Sequence, residues 1–385
     1  MRKIVYLSMF ILLFGLLLGG CAEEPVEAPV EEPVEEPVEE PVEEPVDEET
    51  FTLRFANYFP EPSSQGQIGQ EFADDVERLT EGRVTVEYYP GGMLLGPGEM
   101  YDGVEEGMAD IGLSNLGYTF GRFPVSEVLD LPLGFPNAWV ANRVASDFYA
   151  EFQPEEFDET HVLTFHTSPV NNIITIDTNV RTPEDLAGLT LRGTGYIAEL
   201  VEALGATARP MPMGEAYDNL DKRVIDGLLI PYETIIAFGY AEVTEYVTEV
   251  WPLGQVYTFY ITMNKDTWND LPGDLQEMIT EYVEEEFREK LTEMWNRIDI
   301  EGKEHAIAEG YNITEIPPAE LSAWEERAEN VIDKYVETMV DRDYSEEEIM
   351  GWIDFIEERI EYWTEQQIEL GIKSSTGPEE VLVDW

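Results

Sequence analysis

Cysteine occurs once in the 385 residues, at Cys21, and histidine three times. One cysteine, placed ahead of the main body of the chain, excludes a disulfide, a thiol nucleophile and a thiolate metal site from the folded part. Positive charge is nearly as scarce: 22 Lys and Arg stand against 82 Asp and Glu, for a formal net charge of −60. A surface this negative repels the phosphates of nucleic acid and gives no grip on an anionic bilayer. Two readings of the acidity stay open, adaptation to high salt, where screening removes the self-repulsion, and an acidic face for a partner or cation. In either case an anionic ligand needs a locally positive, desolvated pocket, so the few arginines that face a cleft carry unusual weight.

The apolar run Ile11 to Leu18 follows Arg2-Lys3 and ends in Leu18-Gly19-Gly20-Cys21. It is too short for a comfortable membrane span, and its pattern of basic start, apolar core and small-residue end predicts an export signal over residues 1–21. Residues 22–50 repeat Glu-Glu-Pro-Val. Proline at every fourth position removes backbone donors, and the clustered glutamates repel each other, so this stretch is expected to be a disordered tether. Near polyproline geometry it reaches roughly 80–90 Å. The 14 acidic residues of that tether and the two basic residues of the signal leave about −48 on the remainder, so the acidity belongs to the fold as well.

About 335 residues remain, enough for two α/β lobes. The richest stretch is Thr182 to Pro231. Thr182 caps a short turn with Pro183 at its first position, Leu189 to Leu191 reads as a strand, and Arg192 stands where it ends. A helix with apolar positions Ile197, Leu200, Val201 and Leu204 stops at Gly205. A second helix around Glu215 to Leu220 leads to a buried strand, Gly227 to Ile230. This is β-α-β grammar, with an arginine on the loop where open α/β sheets place ligands. The glycines of Pro90 to Gly96 suggest a phosphate loop, but no GxxxxGK follows. The remaining elements expected are strands at 51–58, 84–89 and 255–264, an acidic helix-to-loop stretch between Trp139 and His161, and helices at 65–79, 99–106, 275–300, 321–340 and 346–370.

The ordered set Thr182 to Leu186, Gly188, Leu189, Arg192, Gly205-Ala206, Pro210 to Met213, Glu215, Tyr217, Val224, Asp226 and Gly227 resembles the substrate-binding proteins of tripartite ATP-independent periplasmic (TRAP) transporters, the dicarboxylate-binding DctP-like family. Cys21 after Leu-Gly-Gly is similar to the lipobox of lipoproteins, which implies an acylated, extracytoplasmic form held to the membrane only through that lipid. The resemblance implies a two-lobed periplasmic-binding-protein fold of type II-like architecture, with hinge strands and long C-terminal bracing helices. On it, residues 51–168 with 257–296 form the first lobe and 169–256 with 297–385 the second.

It further implies no cofactor, a small organic acid as ligand, a TRAP permease as membrane partner, and Arg192 as the group that grips the ligand carboxylate. Strand ends at Asn57-Tyr58 and Asn115, together with Met213, Tyr232, Glu233, Trp251 and Tyr257, are expected to join it. Relatives carry a second arginine where Asn171 stands here, and a polar asparagine where Ile230 stands, so a monocarboxylate is expected over a dicarboxylate. His166 is a further candidate, and Glu233 is the candidate metal ligand should a cation bridge the acid. A lipid-anchored hydrolase is the alternative, opposed by the lack of a G-x-S-x-G elbow, an H-E-x-x-H pair, or any candidate base besides His166.

Overall fold

Apolar runs become the strands of two sheets in the computed structural model, which describes residues 49–385; the expected signal, tether and Cys21 lie outside the described residues. The first sheet joins β1 (Phe51–Asn57), β2 (Val84–Tyr89), β3 (Ile111–Asn115), β4 (Thr160–Thr167) and β10 (Thr258–Asn264) in the order β2-β1-β3-β10-β4. The second joins β5 (Asn172–Thr175), β6 (Thr190–Arg192), β7 (Thr207–Ala208), β8 (Gly227–Ile230), β9 (Tyr246–Glu249) and β11 (Asn312–Glu315) in the order β11-β9-β5-β8-β6-β7. In each sheet a parallel core is joined by antiparallel strands: β10 runs against β3 and β4, and β5 against β8 and β9. The two-lobed α/β architecture expected from the sequence is the one observed.

The stretch 161–176 divides between the two sheets. Pro169 cannot donate to a ladder, and around it the chain leaves the first sheet at Thr167 and enters the second at Asn172. The return passage, from Val250 to Tyr257, lies alongside. Ser168 N donates to Tyr257 O at 2.8 Å, Asn171 N to Gln255 O at 2.9 Å, and Tyr257 N to the Ser168 hydroxyl at 3.0 Å. The two crossings are therefore zipped together. A third crossing follows the helical run Gly273–Glu309, which contains one π-helical turn at Val283–Phe287, into β11.

The helix Leu321–Val340 packs on the helix Tyr196–Leu204 of the second lobe. The last helix, Glu346–Leu370, starts at a capping box between Ser345 and Glu348 and packs instead on the helix Ala138–Phe152 against the first sheet. One sequence expectation changes here: residues 297–385 do not all go with the second lobe. The helix-to-loop stretch expected before His161 is the helix Ala138–Phe152, with Val140, Val144 and Phe148 on its buried face. That helix supplies the apolar surface which draws the C-terminal helix across. Trp139, Trp295 and Trp324 are among the largest buried side chains; each such aromatic removed from water contributes on the order of 2–3 kcal/mol. Among the described residues no helix is long and apolar enough to cross a membrane.

Candidate ligand-binding site between the two sheets

The local sequence explains how Arg192 is held. Asp226 accepts from Thr190 N at 2.8 Å through its carboxylate and donates its own N–H to Thr190 O at 2.7 Å, pinning β6 to β8. A Cβ on Gly227 would come within 2.3 Å of Ile174 O, so only glycine lets β8 lie this close to β5. Thr182 and Asp185 close a capping box ahead of β6, and Gly205, at φ +106°, ends the helix that follows it. These contacts place Arg192 as the last residue of a rigid strand, its side chain aimed between the lobes.

Arg192 is 1% exposed. Its Nε donates to Met211 O at 3.1 Å, and its two terminal nitrogens donate to the hydroxyls of Tyr257 at 2.8 Å and Tyr118 at 3.4 Å. Among the described residues no carboxylate lies within 4.0 Å of this guanidinium. Burial alone would lower its pKa; the oxygens of Tyr257 and Tyr118 outweigh that and hold it above its ordinary value. The other deeply buried cation, Lys303, shows the contrast, since its Nζ sits 2.6 Å from Glu249. Arg192 is thus a desolvated cation satisfied only by neutral oxygens, an arrangement that favours arrival of an anion.

A cavity beside it is lined by Tyr58, Phe59, Asn115, Ser168, Arg192, Met213, Ile230, Pro231, Glu233, Thr234, Phe238, Tyr257 and Phe259. Both lobes contribute. The rings enclose it: Phe59 lies 4.4 Å from Tyr58 in a stack, 5.7 Å from Phe259 and 6.5 Å from Phe238, centroid to centroid. The lobes are closed on one another, since Tyr118 reaches across to Arg192 and to Met213 N, and Gln65 Nε2 reaches Glu233 at 2.8 Å. Only about 20 Å³ is left open to the centre of a water-sized sphere, close to the roughly 10–15 Å³ that one water requires. On the far side of Glu233 a roomier hollow, about 320 Å³ by the same measure, is lined by Pro60, Ser63, Gln65, Ile236 and Ile298 among others.

Of the residues expected from the sequence, Arg192, Tyr58, Asn115, Met213, Glu233 and Tyr257 line this cavity. The others do not appear in its wall. Asn57 is spent on the loop that carries Tyr58 and Phe59: it accepts from Phe59 N at 2.9 Å and donates to Gln65 O at 3.1 Å and Tyr88 at 2.8 Å. His166 accepts from Trp295 Nε1 at 2.9 Å and stacks on Phe259 at 5.0 Å; burial pushes its pKa down to about 3, so it is neutral. Tyr232 donates to Glu249 at 2.9 Å. Trp251 is half-buried in a short 3-10 turn. Asn171 is 1% exposed and neither of its amide atoms has a hydrogen-bond partner. Sequence reasoning missed Phe59, Ser168, Thr234, Phe238, Gln65 and Tyr118. Gln65 and Thr234 lie in the first turn of helices and the others on loops and short turns, and only the meeting of the lobes brings them to the arginine.

The family model for bacterial extracellular solute-binding proteins, family 7 (DctP), matches residues 55–338. The chain belongs to that family. It is 26% identical over 288 residues to a solute-binding protein of Chromohalobacter salexigens, covering 73% of this chain and 83% of that protein. It is 25% identical to the C4-dicarboxylate-binding protein DctB of Bacillus subtilis, over 74% of this chain and 83% of that one. Among solved structures, a TRAP solute-binding protein from Rhodoferax ferrireducens, in complex with copurified benzoate, superposes with a TM-score of 0.76 at 28% identity, over 82% of this chain and 99% of that one. An open-form TRAP protein from Desulfovibrio salexigens has a TM-score of 0.68 at 31% identity, over 81% and 96%. These are transport proteins rather than enzymes. The chain is accordingly a TRAP-type solute-binding protein, which delivers its ligand to a membrane permease.

Proposed function

We propose that this protein captures a small monocarboxylate with an apolar, ring-sized body, closing its two lobes around an ion pair between Arg192 and the ligand carboxylate. The observation that carries the reading is a buried guanidinium without a carboxylate partner in an aromatic-walled cavity. A single cation suits a single carboxylate. The position at which a second arginine was expected holds Asn171, and the rings of Tyr58, Phe59, Phe238 and Phe259 suit a flat apolar body better than a chain of hydroxyls. The benzoate found in the Rhodoferax structure is in keeping with this choice.

Closure follows from differential contact. In the open form the ligand meets one lobe; in the closed form it meets Arg192 from the second lobe and Tyr58 and Phe59 from the first, so the closed state binds it more tightly. The body is held at the outer membrane face or in the periplasm by a lipid on Cys21, with residues 22–50 as the spacer, and its acidity suits a high-salt medium. Mass spectrometry of acids released when the purified protein is denatured, followed by calorimetry with benzoate and succinate, tests the reading. A one-ring or similarly small monocarboxylate is expected to bind at least tenfold tighter than succinate. Tighter binding of succinate refutes it.

A further inference from the structure

Glu233 has an unusual setting. It is 4% exposed, lies in the turn after β8, and belongs to the walls of both the inner cavity and the outer hollow. Among the described residues the one side-chain donor that reaches it is Gln65 Nε2, 2.8 Å from Oε2 and contributed by the opposite lobe. Arg192 lines the same cavity, yet the two form no ion pair within 4.0 Å. Behind Glu233 stands a second acid, Asp299, whose Oδ1 accepts from Glu233 N at 3.4 Å. Near it, Asn115 leaves its amide oxygen buried and without a partner. The cavity therefore has polarity: a cation at one place, and elsewhere carbonyl and carboxyl oxygens short of donors. Burying a carboxyl group with one donor is unfavourable unless something else completes its bonding.

We propose that Glu233 is a specificity-determining residue, selecting acids that carry a hydrogen-bond donor, a hydroxyl or protonated nitrogen, away from their carboxylate, and rejecting acids with a second carboxylate. This rests on the monocarboxylate reading and sharpens it. A donor on the ligand completes the bonding that Gln65 begins and draws Glu233 into its ionised form, while a second carboxylate is stripped of water beside two acids, Glu233 and Asp299, with Arg192 already taken by the first carboxylate. Discrimination of this kind relies on the repulsive element as much as on the attractive one. Its wall position beside the outer hollow also gives a donor-bearing substituent room to extend.

Calorimetry on the purified chain with benzoate, meta-hydroxybenzoate, meta-aminomethylbenzoate and isophthalate tests the assignment through ratios of affinity. The wild-type protein is expected to bind at least one donor-bearing acid about tenfold tighter than benzoate, and isophthalate at least tenfold more weakly. In Glu233→Gln the aminomethyl-to-benzoate ratio is expected to fall about tenfold and the isophthalate-to-benzoate ratio to rise by a similar factor. Gln65→Leu, which removes the competing donor, is expected to widen the donor preference, and serves as the readout should Glu233→Gln fail to fold. Ratios unmoved in both variants, with benzoate still bound, overturn the role of Glu233 alone. If none of the four acids binds the wild-type protein, the monocarboxylate reading fails and this one falls with it.

Discussion

Replacing Arg192 by methionine separates binding from folding. Methionine keeps the length of the side chain and removes its charge. In the unliganded protein the guanidinium has given up hydration worth several kcal/mol and recovers it through three bonds, to Met211 O, Tyr257 and Tyr118. Bonds from a charged donor contribute about 1.5–3 kcal/mol each, and the 3.4 Å contact to Tyr118 belongs at the lower end. The terms nearly cancel, so Arg192→Met is expected to change unliganded stability by less than about 2 kcal/mol in either direction, a melting shift of a few degrees. Binding has no such compensation. Truncating one side of a buried charge pair costs roughly 2–5 kcal/mol, or about 30- to 4,000-fold in affinity. Calorimetry with the copurified acid and a melting curve of the stripped protein read the two quantities apart. An affinity retained within threefold, or an unliganded melting point lowered by more than about 10 °C, would falsify the reasoning, because Arg192 would then be a structural cation.

Gly117, after β3, meets the loop after β6 at the lobe contact; a Cβ there would lie 2.9 Å from Thr194 Oγ1 and 3.3 Å from its carbonyl. Gly117→Val is expected to hold the lobes apart and weaken apparent affinity about tenfold by depopulating the closed form, with a larger radius of gyration by X-ray scattering in the presence of ligand; an unchanged affinity counts against closure at this contact. Burial raises the pKa of Glu127 to about 7, of Asp299 to about 7 and of Glu233 to about 8. Between the unfolded carboxyl value near 4.5 and those values the native state holds more protons than the unfolded one, so stability falls as pH rises through this window, by up to about 1.4 kcal/mol per unit for each group. Unliganded protein is expected to melt at a higher temperature at pH 5 than at pH 8, and the reverse order contradicts the burial of these acids. With 82 acidic against 22 basic residues, the melting temperature is also expected to climb by several degrees between low and molar salt; indifference to salt removes the high-salt reading.

Legibility in the sequence followed locality. Arg192, the capping box at Thr182 and the Asp226-Gly227 pair were readable because each is decided by neighbours within about fifty residues, and helix periodicity located Leu321–Val340 and Glu346–Leu370 at their observed ends. The bounds of the helix Ala138–Phe152 were not placed because its buried face is written in alanines and valines within a run that also carries Asn, Arg and Asp. Phe238 and Gln65 were invisible for a different reason. Nothing near them in sequence signals a cavity; their roles depend on two lobes meeting. Asn57 and Tyr232 were placed beside the ligand by adjacency in sequence, whereas the alternation of side chains along β1 points Asn57 at Gln65 and Tyr88, and the turn after β8 points Tyr232 at Glu249.

The strand order of the first sheet has a consequence for biosynthesis. β10 lies between β3 and β4, and β4 pairs with no other strand of that sheet. The chain emerges amino-end first, so β4 must wait, unpaired, until the whole of β5 to β9 has followed and residues 258–264 arrive. Pairings that close such long loops form slowly. A nascent molecule interrupted anywhere before Asn264 therefore has an incomplete first sheet, which cannot close until five of the six strands of the second have been made.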